Sequence, residues 1–172
     1  GYAGSSNVPA IKLAERVAEL CYAPINHFYF TSGGAEANES AFKTARFYWK
    51  LRGKPDKWRI ISRTFGFHGT TLATMSATGI EAYKPMFGPL VEGFSHIASP
   101  YPYRFEPPAN VAADDRRTHG QMAADLLEAE IQRLGADNVA AFIGEPVQGA
   151  GGAIAAHDDY WPRIREICDR HD

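Results

Sequence analysis

The sequence predicts an α/β fold built on a mainly parallel sheet. Three observations carry this. Strand-like and helix-like stretches alternate along the 172 residues, the pattern of a sheet covered by helices. Val139-Ala140-Ala141-Phe142-Ile143 is continuously apolar, as a parallel strand covered on both faces requires. Three polar, glycine-rich turns, residues 32–38, 65–71 and 145–152, each follow a strand-like run. Open α/β sheets bind ligands at the carboxyl ends of their strands, where such turns lie.

The elements follow in order. Residues 10–22 read as an amphipathic helix, with Ile11, Ala14, Ala18 and Cys21 on one face and Leu13, Val17 and Leu20 beside it. Pro9 suits its first turn. Beyond Pro24, the aromatic run Asn26-His27-Phe28-Tyr29-Phe30 reads as a strand. Gly33 and Gly34 then open a helix to about Leu51, with Ala37, Ala41, Ala45 and Tyr48 at helical spacing. Gly53 and Pro55 stop it. Residues 58–62 read as a second strand. The turn Phe65-Gly66-Phe67-His68-Gly69-Thr70-Thr71 leads into a short helix through Met75.

From Gly79 to about Asp115 the pattern degrades. Six of the eleven prolines fall there, so an irregular excursion is expected, with a short strand over 93–97. A long ordered loop in a compact domain is usually functional. Residues 118–134 return to helix, with Met122, Leu126, Leu127, Ile131 and Leu134 as the apolar stripe and Gly135 as the stop. After the strand at 139–143 comes the Glu145–Gly152 turn. A last helix over 158–170 places Trp161, Ile164, Ile167 and Cys168 inward.

Composition narrows the function classes. Lys+Arg 18 against Asp+Glu 20 gives a net charge of -2, with no electrostatic case for nucleic acid or an anionic membrane. No stretch is long and apolar enough to span a bilayer. The first residues lack the basic and apolar regions of a signal peptide. Cys21 and Cys168 lie in different helix-like segments, without a partner at metal-ligand spacing. They read as reduced thiols of a cytoplasmic protein, and no metal site is expected. The chain begins without methionine and stops on the last turn of a helix, so a piece of a longer protein is expected.

The turns themselves suggest chemistry. Gly33-Gly34-Ala35 lets the backbone approach a ligand and opens a helix. The helix start offers N–H groups and the positive end of its dipole, and a phosphate suits it. The turn lacks the lysine of a P-loop and the glycine spacing of a dinucleotide fold. On spacing alone, a plain strand-to-helix turn remains equally open. Phe67, beside glycines at a strand end, could lie on a planar ring, though by itself it reads as a core phenylalanine. His68 has no visible partner and receives no proton-transfer role. Glu145, at the end of an apolar strand, is costly to bury unless paired; a solvated loop glutamate is the alternative.

Taken together, Ser32-Gly33-Gly34-Ala35-Glu36-Ala37-Asn38-Glu39, Phe67-His68-Gly69 and Gly144-Glu145-Pro146-Val147-Gln148-Gly149-Ala150-Gly151-Gly152 resemble the class III pyridoxal-phosphate aminotransferases, of the omega-amino-acid or amine–pyruvate type. The resemblance covers nearly the whole chain in the same order. It implies part of the large domain of the fold type I architecture, with helices on both faces of the sheet. Residues 1–172 would be a partial cofactor-binding domain, with an N-terminal segment and a C-terminal small domain absent.

The resemblance implies roles for single residues. Gly34 and Ala35, with Gly33 before them, match the backbone that holds the cofactor phosphate. The second of that pair is usually serine or threonine, so Ala35 implies a hydrogen bond that is missing or supplied by Ser32. Phe67 matches the aromatic that stacks on the pyridine ring, and His68 its neighbour in the cofactor-binding set. Glu145 matches the supporting glutamate on the substrate side, which pairs in such enzymes with a mobile arginine.

The family's ring-nitrogen aspartate and the lysine that links covalently to the cofactor are not in this chain. Lys12, Lys43, Lys50, Lys54, Lys57 and Lys84 all stand in other contexts. The implied activity is transfer of an amino group from an amine or omega-amino acid to a keto acid such as pyruvate. The chain alone is not expected to perform it. An aminomutase or decarboxylase-like enzyme, or a non-catalytic domain on the same scaffold, are the alternatives. The implied partners are small-molecule amines and keto acids and, in the full-length protein, further copies in a homodimer or tetramer. Nucleic acid and membrane are not expected partners.

Overall fold

The computed structural model describes residues 5–109, 111–112 and 114–172. They fall into two compact units, one ending at Ser32 and the other spanning Gly33–Asp172.

The first unit contains helix α1 (Val8–Ala18). Asn7 caps it, its Oδ1 accepting the Ala10 N–H at 2.9 Å, and Pro9 sits in the first turn. The helix is shorter than its apolar pattern suggested. From Ala18 the backbone goes into turns, with Cys21 N–H donating to Ala18 O and Ile25 N–H to Tyr22 O. None of its side chains is buried. Residues 26–30 are not a strand of any sheet. Aromatic and β-branched residues favour a pleated, half-buried surface, but a strand also needs a partner backbone. None among the described residues pairs with this run.

The second unit is built on a parallel sheet in the order β2–β1–β3. Strand β1 (Arg59–Arg63) is central, between β2 (Phe94–Ile97) and β3 (Val139–Phe142). Ile60 pairs with Phe94 and Ser62 with His96 on one side, and Ile61 pairs with Phe142 on the other. Side chains alternate across a strand, and this divides the core in two. Ile60 packs with Phe42, Trp49, Ala77 and Ala140, the layer of α2 (Gly34–Leu51) and α3 (Leu72–Ala77). Ile61 packs with Leu127, Ile131, Tyr160, Ile164 and Ile167, the layer of α4 (His119–Leu134) and α5 (Tyr160–His171). Helices therefore cover both faces.

Helix α2 turns its large rings inward rather than its alanines. Phe42 and Trp49 are buried, whereas Ala37, Ala41 and Tyr48 are exposed. Each large ring removed from water contributes roughly 1.5–3 kcal/mol, so bulk decides the orientation. The Trp49 indole N–H also donates to Ala140 O at 2.9 Å. Helix α4 begins at a capping box in which Thr118 and Gln121 satisfy each other's backbone N–H. It ends at Gly135, whose φ of 83° suits glycine. In α5, Tyr160, Ile164 and Ile167 are buried, while Trp161 and Cys168 are half-buried.

The long excursion after α3 contains β2 and a 3-10 turn, Glu81–Tyr83. A short antiparallel hairpin, β4 (Val147–Gln148) with β5 (Ile154–Ala155), follows the Glu145 turn and was not foreseen. Two-residue strands show no periodicity. Because the three sheet strands are parallel, the turns after Arg63 and after Phe142 leave from the same edge of the sheet.

Candidate active site

Three segments of the second unit meet at that edge. The Asn38 side-chain amide, one turn into α2, donates to His68 O at 2.8 Å. Glu39 Oε1 accepts the Thr71 hydroxyl at 2.6 Å and the Ala73 N–H at 3.2 Å, so its carboxylate sits at the positive end of α3. Between these anchors the chain presses on α2. A Cβ at Gly69 would lie 2.8 Å from Ala35 Cβ, and Gly69 has φ +133°. Only glycine fits there without strain. The start of α2 and the turn at residues 66–71 are thus one packed unit.

The start of α2 is built like an anion cradle. Gly33, the N-cap, provides no side-chain cap. The first intrahelical bond runs from Ala37 N–H to Gly33 O at 3.0 Å. The amides of Gly34 and Ala35 come before it, where backbone donors have no intrahelical acceptor and the dipole amounts to about half a positive charge. A Cβ at Gly33 or Gly34 would meet nothing within 4 Å. Open space therefore stands beside this backbone.

Glu145 joins the other two turns. Its Oε1 accepts the Phe67 N–H at 2.8 Å and its Oε2 accepts the Gly149 N–H at 3.0 Å. The carboxylate is half-buried and doubly hydrogen-bonded, which answers the cost of burying it. Phe67 is not a core residue, since 37% of it is exposed. Its ring meets Tyr83 edge-on at 6.5 Å. An aromatic left open at a strand end can offer a face to a planar ligand.

His68 turns the other way. It is 5% exposed. Its N–H donates to Thr78 Oγ1 at 3.0 Å, and its Nε2 is buried without a hydrogen bond. A Cβ at Gly66 would stand 3.1 Å from that nitrogen. Burial pushes the imidazole pKa down to about 4, with Arg63 and His96 acting in the same direction and Glu145 opposing them. His68 is a neutral packing imidazole at physiological pH.

The site residues read from sequence, Gly33, Gly34, Ala35, Phe67, His68 and Glu145, are thus gathered at one edge of one unit, while Ser32 ends the other unit. Residues with connecting roles were missed. Asn38 and Glu39 stood inside the recognised motif, but nothing local says that they grip residues 68–73. Gln148 is fully buried. It donates to Thr64 O at 2.8 Å and accepts the Ser99 hydroxyl, tying the hairpin to the ends of β1 and β2. Among the described residues there is no group of three or more His, Cys, Asp or Glu that could hold a metal.

Comparison with known proteins places the chain in a family. The family model for class-III aminotransferases matches residues 2–172. A putrescine–pyruvate aminotransferase of Pseudomonas aeruginosa is 39% identical over 98% of this chain and 36% of its own. An (S)-enantioselective omega-transaminase from Thermomicrobium roseum superposes with a TM-score of 0.88 at 44% identity, covering 99% of this chain and 37% of its own. An omega transaminase from Pseudomonas jessenii, solved in complex with PMP, gives 0.86 at 35% identity, with 99% and 37% covered. The chain spans little more than a third of the length of these relatives. Over that span, in sequence and in fold, it belongs to the class-III aminotransferase family.

Proposed function

We propose that the natural protein carrying this chain is a pyridoxal-phosphate-dependent transaminase. It would move an amino group from an amine or omega-amino acid to a keto acid such as pyruvate. The observation that carries the reading is the Glu145 carboxylate, which joins the Phe67 and Gly149 backbones at the edge where α2 presents its glycine start. The open space beside Gly33 and Gly34 fits a phosphate held by backbone amides. The fit extends to the ring, because Phe67 has an open face and its backbone is fixed by Glu145.

Each residue then has a task. The amides of Gly34 and Ala35, at the positive end of α2, would bind the phosphate. Ala35 adds no hydroxyl and instead packs on Gly69. Phe67 would cover one face of the pyridine ring and exclude water from it. Glu145 holds Phe67 in place and puts negative charge on the substrate side. His68 stays neutral and supports the turn from behind. When bound, pyridoxal phosphate supplies the electron sink that allows a proton to leave the carbon beside the transferred nitrogen.

Residues 1–172 would form part of the cofactor-binding large domain of a longer, cytoplasmic protein that works as a homodimer or tetramer. The family membership and the relatives' greater length support this. The test is to titrate pyridoxal phosphate into the natural protein and follow visible absorbance, then supply putrescine or an omega-amino acid with pyruvate. Uptake of the cofactor and formation of alanine are expected. A rearranged or decarboxylated product would favour the aminomutase or decarboxylase alternative. No uptake at all would leave a non-catalytic scaffold.

A further inference from the structure

Arg63, the last residue of central strand β1, is a charged side chain that the reading above does not use. It is 1% exposed, and its Nε is buried with no hydrogen-bond partner among the described residues. Burying a guanidinium without a carboxylate is costly. Its compensation is aromatic: the guanidinium carbon lies 4.9 Å from the centre of the Trp161 ring and 5.6 Å from that of Tyr160. Nη2 donates to the backbone carbonyl of Glu145. The same group explains why residue 144 is glycine. A Cβ there would stand 3.0 Å from the Trp161 ring and 3.1 Å from Arg63 Nη2. Glu145 is therefore held at both ends, its carbonyl by Arg63 and its carboxylate by Phe67 and Gly149.

We propose that Arg63 is a positioning residue: clamped by the aromatic pair of α5, it fixes the Glu145 peptide, and Glu145 in turn fixes where the Phe67 ring stands. Arginine suits this task because its planar fork stacks on rings while donating in plane, which a lysine cannot do. The inference rests on the reading of this edge as a cofactor site. It adds that the geometry of the stacking ring is set from behind the sheet by α5.

The test uses the natural protein and two readouts, the dissociation constant of pyridoxal phosphate and the circular dichroism band of the bound cofactor. Arg63→Lys keeps the charge and loses the fork. It is expected to weaken cofactor binding about tenfold, the worth of a hydrogen bond to a charged group, and to change the dichroism band. In a Glu145→Ala background, where the link to Phe67 is already cut, the same substitution should change affinity less than twofold. Wild-type affinity and an unchanged band in Arg63→Lys would overturn the inference, as would an undiminished tenfold effect in the Glu145→Ala background. If Arg63→Lys does not fold, Trp161→Leu, which removes the stack and leaves Arg63, carries the test. The same direction of change supports the inference and no change overturns it. Failure of the unsubstituted protein to take up the cofactor is a different result, which sinks the cofactor reading itself and this inference with it.

Discussion

Glu145 Oε1 accepts the backbone N–H of Phe67 at 2.8 Å, across 78 residues of chain. Together with the bond from Gly149 to Oε2, this makes a side chain the joint between two turns. The geometry dictates what a substitution removes. A glutamine at 145 offers one acceptor and one donor, so its NH2 group must face a backbone N–H. We expect Glu145→Gln to cost about 1 kcal/mol of stability, because the contacts lie partly open to water. We expect kcat/KM for the amine to fall by about tenfold or more, since the carboxylate proposed for the substrate side is lost as well. Thermal unfolding and steady-state kinetics on the same samples separate the two effects.

Gly34, which precedes Ala35, and Gly69, which packs on Ala35, carry opposite expectations. A methyl at Gly34 meets nothing within 4 Å and replaces the least helix-favouring ordinary residue. Gly34→Ala should leave the melting temperature unchanged or slightly raised. It should still weaken pyridoxal phosphate by about tenfold or more, because the methyl enters the space a phosphate would occupy. A methyl at Gly69 collides with Ala35 Cβ at 2.8 Å and sits at a φ of +133°. Gly69→Ala should destabilise by about 1–3 kcal/mol. Differential scanning calorimetry beside cofactor titration checks both. Equal losses of stability in the two variants would contradict the cradle.

His68 gives the second unit a pH dependence of defined sign. Burial lowers its pKa from 6.5 to about 4, so the folded state prefers the neutral ring. That contribution is fully present above 6.5 and is lost as pH falls from about 6.5 to about 4. It amounts to roughly 3 kcal/mol. His96, also lowered by burial, acts in the same direction. In His68→Gln, with His96 retained, the loss of stability between about pH 7.5 and pH 4.5 should be smaller than in the parent. Urea unfolding at the two pH values measures this directly. An unchanged difference would mean that His68 is solvated rather than buried.

Local signals carried part of this fold, and the reason is visible in particular residues. Helix α4 was legible because its apolar stripe, Met122, Leu126, Leu127, Ile131 and Leu134, recurs at helical spacing and Gly135 states its end. The glycine turns were legible because their conformation is a local demand. The helical spacing of its alanines identified α2 but not its buried face, because alanines report propensity while Phe42 and Trp49 decide burial. Residues 26–30 had strand propensity but no partner ladder among the described residues. The candidate site could be listed from sequence as a set of residues, but its connections could not. Asn38 reaching His68, Arg63 reaching Glu145 and Gln148 joining Ser99 to Thr64 are long-range contacts that no spacing encodes.

Asn38 and Glu39 test whether that long-range grip matters. Asn38 donates to His68 O at 2.8 Å, and Glu39 holds both the Thr71 hydroxyl and the Ala73 N–H. Both side chains are engaged with residues 68–73, so their effect is expected to pass through the turn they hold. Asn38→Ala leaves a part-buried carbonyl unpaired, and Glu39→Ala removes the acceptor of the Thr71 hydroxyl and of the Ala73 N–H at the start of a six-residue helix. Each should cost about 1–2 kcal/mol. The loss should be local: amide hydrogen exchange should speed up across residues 68–77, while the amides of α4 keep their protection. Cofactor affinity should fall severalfold in each variant, following the loosened turn. Unchanged exchange at residues 68–77 together with weakened cofactor binding would mean that Asn38 or Glu39 acts on the ligand directly, and the grip would lose its role in the site.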